Sequence, residues 1–203
     1  MIAIIDYGVG NLFSLTCSFK SIGADICVTS DPDVIAKAER IILPGVGAFE
    51  DAAKKLRESG LDQVIKEECA KGKPLLGICL GMQMLFEKSY EYGEHEGLGL
   101  IKGSIKPISD VIGEGLKIPH IGWNALHFCG EKDGLFKYIK EGDCVYFVHS
   151  YYGADCESSL IATAEYGAEL TAAVRNKNVC GVQFHPEKSE RVGLAILKAF
   201  CEI

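Results

Sequence analysis

A chain of 203 residues, 48% hydrophobic and 24% charged, has a globular composition and enough length to bury its own core, which argues against global disorder and against a disulfide or metal scaffold. Its net charge of −7 and pI near 5.3 argue against a general nucleic-acid binder. No apolar run reaches the length of a membrane span, and MIAIID has no basic region before its apolar stretch, so neither a membrane protein nor a signal peptide is expected and the chain reads as cytoplasmic.

In chain order, IAII (2–5) reads as a strand and 11–22 as a helix, followed by strands at 25–29 and 40–44. Helices are predicted at 48–58 and 61–71, a strand at 74–78 and a helix over 80–88. Continuous apolar strands alternating with amphipathic helices predict an α/β fold, a mostly parallel sheet covered on both faces. The second half reads as strands at 98–106, 117–128, 144–148, 159–166, 171–175 and 179–184, which predict antiparallel additions to that sheet. A final helix starts after Ser189, with Ser189 as its cap and Val192, Ile196, Ala199, Phe200 and Ile203 on one face. Without a Pro- or Ser-rich linker, residues 1–203 read as one domain.

Nine cysteines stand at 17, 27, 69, 79, 129, 144, 156, 180 and 201, none at C-x-x-C spacing, so no zinc or dithiol site is expected. Most fit small buried hydrophobes. Cys79 differs by context. In KPLLGICLGMQMLF (73–86) an apolar strand ends in Gly77-Ile78-Cys79-Leu80-Gly81 and a helix follows, the cysteine counterpart of a nucleophile elbow. Such a turn projects the thiol from the carboxyl end of the sheet, where α/β folds bind ligands. The Leu80 backbone N–H becomes a donor for an oxyanion.

A thiol nucleophile needs a base, and VCGVQFHPEKS (179–189) supplies one. Residues i and i+2 of an extended segment point the same way, and Pro186 biases His185 toward extended backbone. Glu187 then holds one ring nitrogen of His185 and leaves the other for the Cys79 proton. H-x-E also occurs in zinc deaminases, but the P-C-x-x-C they require is missing. The glycines of PGVG (44–47) allow close approach to a ligand, making the amides of Gly45, Val46 and Gly47 candidates for a second oxyanion donor. DYGVGN (6–11) lacks the third glycine of a dinucleotide loop, Phe13 standing in its place.

Together LLGICLGMQ (75–83) and GVQFHPE (181–187) resemble the nucleophile and His/Glu motifs of class I (triad) glutamine amidotransferases, over nearly the whole chain. The resemblance implies a single-domain, flavodoxin-like glutaminase that uses Cys79, His185 and Glu187 and no metal or cofactor. Gly47 and Gln83 match glutamine-contacting positions of that family, as do His149, Ser150 and Tyr151. DYGVGN, PGVG, PHIGWN (119–124), YFVHSYY (146–152) and HPEKS (185–189) are similar to the branch that serves histidine biosynthesis. In that branch a separate (βα)8-barrel cyclase takes the ammonia and forms imidazole glycerol phosphate and an aminoimidazole carboxamide ribotide. Asn11, Trp123, Asn124, Tyr146 and Lys188 match positions at or near that interface.

Three other readings share parts of this pattern. A paralogous glutaminase serving surface-sugar modification would keep triad and fold. A stand-alone γ-glutamyl cysteine hydrolase would keep the triad, but the interface-like segments argue against it. A flavodoxin-like binding module would have no use for the intact triad.

Overall fold

The computed structural model describes residues 1–203. The chain begins with β1 (Ile2–Ile5), α1 (Leu12–Ser21), β2 (Ile26–Thr29), α2 (Pro32–Lys37), β3 (Arg40–Leu43), α3 (Phe49–Glu58), α4 (Leu61–Ala70), β4 (Leu75–Ile78) and α5 (Leu80–Met84). It continues through β5 (Phe86–Ser89), β6 (His95–Glu96), β7 (Ile101–Pro107), β8 (His120–Ala125), β9 (His127–Phe128), β10 (Cys144–His149) and β11 (Tyr151–Ala154). The last elements are β12 (Leu160–Glu165), β13 (Glu169–Asn176), β14 (Val179–Val182) and α6 (Glu190–Cys201).

The main sheet runs β2-β1-β3-β4-β14-β13-β12-β9. Its first five strands are mutually parallel and its last three are added antiparallel. Every residue of β1, β4 and β14 is buried, which explains their unbroken apolar runs. Alternate residues feed two cores. Ala3 and Ile5 join Ile35, Leu56 and Ile65 of α2, α3 and α4 on one face. Ile2 and Ile4 join Phe19 of α1 and Ile196 and Phe200 of α6 on the other. Burying a side chain such as Phe19 contributes about 1.5–3 kcal/mol. In α3, Phe49, Ala52, Ala53 and Leu56 form the inward stripe at i, i+3, i+4 and i+7.

Of the eight cysteines besides Cys79, most were expected to be buried, but only Cys69, Cys156 and Cys180 are. Four expectations about the elements also need correction. The helix predicted over 80–88 stops at Met84, and β5 follows. The reason is competition for carbonyls: Leu98 N–H donates to Met84, and both Leu100 and Ile101 donate to Leu85, at 2.8–2.9 Å. Another helical turn would need those acceptors. Second, the strand over 117–128 is two strands. Buried Leu126 separates β8, paired with β10, from β9, at the edge of the main sheet. Third, β5, β6, β7 and β11 form their own four-stranded sheet and β8 with β10 a two-stranded ribbon, so only β13, β12 and β9 are antiparallel additions to the main sheet, and β14, expected among them, joins it parallel to β4. Fourth, Ser189 makes no side-chain cap on α6. Its buried hydroxyl accepts from Tyr146 N–H (2.9 Å) and donates to the His185 carbonyl (2.7 Å). The short α2, capped by Asp31 with Pro32 at its start, fills the unassigned stretch between the strands predicted at 25–29 and 40–44.

Candidate active site

The carboxyl ends of β4 and β14 meet at Cys79. The parallel register pairs Val182 with Ile78, and the Cys79 N–H extends the ladder to the Val182 carbonyl at 2.8 Å. Cys79 has φ 54° and ψ −112°, a conformation that costs a non-glycine residue on the order of 1–3 kcal/mol. Its neighbours make that turn possible. A Cβ at Gly77 would lie 2.7 Å from the Gly81 carbonyl oxygen, and one at Gly81 would overlap that of Leu43. These glycines permit close backbone approach. As the first residue of α5, Leu80 has no intrahelical acceptor for its N–H. Because α5 has only five residues, its dipole contributes little to the thiol's environment.

His185 is extended (φ −99°, ψ 98°), and a single 3-10 turn at Pro186–Lys188 follows. That turn, not a continued strand as the sequence suggested, brings Glu187 back to the ring. Nδ1 of His185 lies 2.8 Å from Oε1 of Glu187, with both side chains almost fully buried. Accepting at Glu187 places the proton on Nδ1 and leaves Nε2 as the ring nitrogen available to the Cys79 thiol. Burial alone pulls the imidazole down. The hydrogen bonds and charges of Cys79 and Glu187 outweigh it and push His185 up to about 9.

A cleft of about 510 Å³ opens beside this group. Its walls bring together most of the residues singled out in the sequence: Val46, Gly47, Cys79, Leu80 and Gln83, and from the other side His149, Ser150, Tyr151 and His185. Gly45 is not in the wall. It is packed against the elbow, where a Cβ would stand 2.8 Å from Gly81 N and 3.0 Å from the Tyr7 hydroxyl. That hydroxyl donates to the Pro44 carbonyl at 2.7 Å and fixes the start of the PGVG loop. Gly47 has φ +96°, a value that favours glycine.

His149 is a buried neutral base, pulled down to about 4 by desolvation. Its Nδ1 donates to the Tyr151 carbonyl (2.8 Å), so its Nε2 accepts from Nδ1 of His120 at 2.9 Å. His120 is also stacked between Phe147 and Tyr166, as a satisfied core histidine would be.

Three residues in or beside the cleft escaped the sequence reading. Glu91 is the one carboxylate in its wall, with Oε2 accepting the Phe49 N–H at 2.6 Å, and burial pushes its carboxyl up. In the acid-rich stretch YEYGEHEG it looks like any solvated charge, so the sequence held no signal for it. Tyr92, with φ 54°, lies beside it at the cleft mouth. Gln183 places Nε2 3.7 Å from Cys79 Sγ, and the two-residue alternation from His185 was a signal that could have found it.

The candidate interface residues divide. Trp123 and Tyr146 are directly paired across β8 and β10, their rings edge to face at 6.1 Å, and Lys188 lies 5.8 Å over Tyr146. Trp123 is 47% exposed. Asn124 is tied to the Glu165 carbonyl at 2.7 Å, and Asn11 caps α1 by accepting the Ser14 N–H; neither joins that aromatic group.

A buried Cys–His–Glu group on a strand-to-helix elbow, facing a cleft with one carboxylate and a glycine loop, is suited to acyl transfer through a thioester. The family model for class I glutamine amidotransferases matches residues 3–202, and the chain belongs to that family. Among curated relatives, the imidazole glycerol phosphate synthase subunit HisH of Wolinella succinogenes is 47% identical, with all of both chains covered. The protein of the same name from Caldanaerobacter subterraneus is 51% identical over 100% of this chain and 98% of its own. Solved structures share the fold at lower identity. A glutamine amidotransferase crystal structure has a TM-score of 0.76 at 19% identity, covering 99% of this chain and 100% of that one. The PurLQS structure from Thermotoga maritima has a TM-score of 0.76 at 20% identity, covering 99% and 97%.

Proposed function

We propose that this chain is the glutaminase subunit of an imidazole glycerol phosphate synthase in histidine biosynthesis, and that it passes ammonia to a (βα)8-barrel cyclase subunit. The single observation that carries the chemistry is the Glu187–His185–Cys79 arrangement, with 2.8 Å between Glu187 Oε1 and His185 Nδ1 at the foot of the cleft. The pathway rests on relatives of that name aligned over the full length.

In this reading the Cys79 thiolate attacks the side-chain amide carbon of glutamine while His185 holds the proton on Nε2. The backbone N–H of Leu80 and an amide of the PGVG loop receive the negative oxygen. The tetrahedral adduct collapses, the C–N bond breaks, and Nε2 gives its proton to the departing nitrogen, releasing ammonia and leaving a γ-glutamyl thioester. Water then adds with His185 as base, releasing glutamate and restoring the thiol. Glu91 takes the substrate's α-ammonium, since it is the only opposite charge in the wall. His149, Ser150 and Tyr151 close the far side. Trp123, Tyr146 and Lys188 form the docking surface for the cyclase, where an exposed Trp–Tyr–Lys cluster suits an interface core. The exposed Val46 restrains the PGVG loop, and the partner's ligand state completes the oxyanion hole.

The test is glutamate release by the purified chain, alone and with the barrel cyclase plus its ribonucleotide substrate. Low activity alone and a large rise in the complex are expected. Full activity alone, unmoved by the cyclase, would point instead to a free-standing hydrolase. Cys79→Ala, a small change at an 8%-exposed position, is expected to abolish hydrolysis while the chain still folds. Retained turnover in that variant would end the triad mechanism.

A further inference from the structure

Gln183 follows β14 directly, and the parallel register that sets Val182 beside Ile78 sets Gln183 beside Cys79. Its backbone is pinned by an N–H bond to the Ala172 carbonyl at 2.9 Å, and the residue is fully buried. The side chain bridges two groups. Its amide oxygen is 3.0 Å from Gln83 Nε2, and its amide nitrogen is 3.7 Å from Cys79 Sγ.

The direction of this bridge is fixed by chemistry at its far end. The Tyr151 carbonyl can only accept, and Gln83 Nε2 lies 3.3 Å from it. The Gln83 NH2 group therefore faces both the Tyr151 carbonyl and the Gln183 oxygen, using its two hydrogens. Gln183 must then present its own NH2 to sulfur. A flipped Gln183 would place oxygen against a thiolate and nitrogen against the Gln83 NH2, losing two hydrogen bonds and setting like against like.

We infer that Gln183 is a further catalytic residue, a buried amide donor to Cys79 Sγ oriented by the chain Tyr151 carbonyl–Gln83–Gln183. It favours the thiolate that attacks glutamine and holds sulfur in line with the cleft. A second consequence concerns Gln83. With both hydrogens engaged, it offers the cleft only an oxygen acceptor, which suits the amide NH2 or the ammonium of glutamine and disfavours a carboxylate in that place. His185 sits two residues on, so Gln183 and His185 are successive inward positions of one extended segment.

The inference rests on the glutaminase reading, and the test separates the two. Alkylation of Cys79 by iodoacetamide is followed across pH by mass spectrometry of the Cys79 peptide, in the full chain, beside glutamate release in the complex. Gln183→Met keeps the volume and removes the donor. Its half-maximal alkylation is expected to move up by about one pH unit, a roughly tenfold slower reaction at neutral pH. Its kcat should fall, with a smaller change in KM. Gln183→Glu keeps the acceptor for Gln83 but replaces the donor by a negative charge, so it is expected to shift at least as far. Because the Glu carboxylate opposes a thiolate at this distance whatever the amide's role, the Met variant decides: a packing role predicts unmoved alkylation there. Unmoved alkylation in either folded variant, or recovery with Glu, would overturn the inference. If both variants fail to fold, the unmodified chain still decides: the Gln183 side-chain amide proton should move with the titration seen in alkylation. A Gln183 resonance blind to it would overturn the inference. Loss of glutamine turnover in the unmodified chain would instead defeat the glutaminase reading.

Discussion

The elbow that carries Cys79 and the loop that faces it both depend on glycine, for opposite reasons. At Gly77 and Gly81 the chain packs so closely that a Cβ would meet backbone oxygen. At Gly47 nothing lies within 4 Å of an added Cβ, and the requirement is only for φ +96°. The neighbouring Val46 is 42% exposed, whereas Leu80 is 2% exposed. One region is fixed by packing and the other is held by backbone conformation alone. Interlocked backbone has few alternative arrangements, while a glycine loop in open space has several. A partner able to act on the cleft would therefore act through Val46 and Gly47 and leave the geometry at Cys79, against which Gly45 is packed, untouched.

The largest effect should come from breaking the fixed side electronically. Glu187→Gln keeps the shape but removes the charge that holds His185 Nδ1. A fall in kcat of roughly 10²–10⁴-fold is expected. The pH profile should move as well. In the unmodified chain burial pulls His185 down, and Cys79 and Glu187 more than reverse it, from an ordinary 6.5 to about 9. The proton on His185 then stays bound until pH rises through about 9, so under the proposed mechanism activity should decline only there. Without Glu187 that alkaline limb should move toward neutral, and a limb that stays in place would show that Glu187 does not set it. The same shift is linked to stability. The folded value is raised above the unfolded one, so the contribution is full below about 6.5 and is lost as pH rises through about 9.

The next effect compares the two kinds of glycine directly. Gly81→Ala drives a Cβ into the Leu43 carbonyl, which backbone cannot yield cheaply, so a loss of about 3 kcal/mol or more in denaturant unfolding is expected. Gly47→Ala meets open space and costs only the strain of positive φ, about 1–2 kcal/mol. Equal losses at the two positions would erase the distinction between a packed elbow and a free loop.

The same contrast explains what was legible in the sequence. β1, β3 and β4 are readable because parallel strands buried on both faces become apolar runs. The proposed nucleophile and base are readable because their geometry is local: the Gly77–Gly81 spacing, and His185 with Glu187 two residues on. What remained hidden was decided at a distance. The end of α5 depends on donors at Leu98, Leu100 and Ile101, and Glu91 enters the cleft only because β5 and its loop turn back over it. Ser189 was read as a cap from its place before α6, yet its hydroxyl links Tyr146 to His185, partners that only the tertiary fold supplies. Gln183 lay between these cases, since the alternation was visible but the Gln83–Tyr151 anchor that orients its amide was not.

The smallest effect should come from the free side and should run toward gain. Val46 is β-branched, which restricts the conformations open to the Gly45–Val46–Gly47 segment, and its half-exposed side chain contributes little packing to offset that. Replacing it by glycine removes the restriction. The difference in conformational freedom is about 0.5–1 kcal/mol, so any arrangement that the β-branched side chain disfavours becomes a few-fold more populated. Val46→Gly is therefore expected to raise glutamate release by the isolated chain about two- to fivefold and to narrow the ratio between complex and isolated rates. The measurement needs only the two chains, each assayed with and without the cyclase. An isolated Val46→Gly chain as slow as the unmodified one would mean that loop conformation is not what restrains the free subunit. The restraint would then have to lie on the packed side, in the setting of Cys79 itself, and the two regions would have exchanged the parts assigned to them.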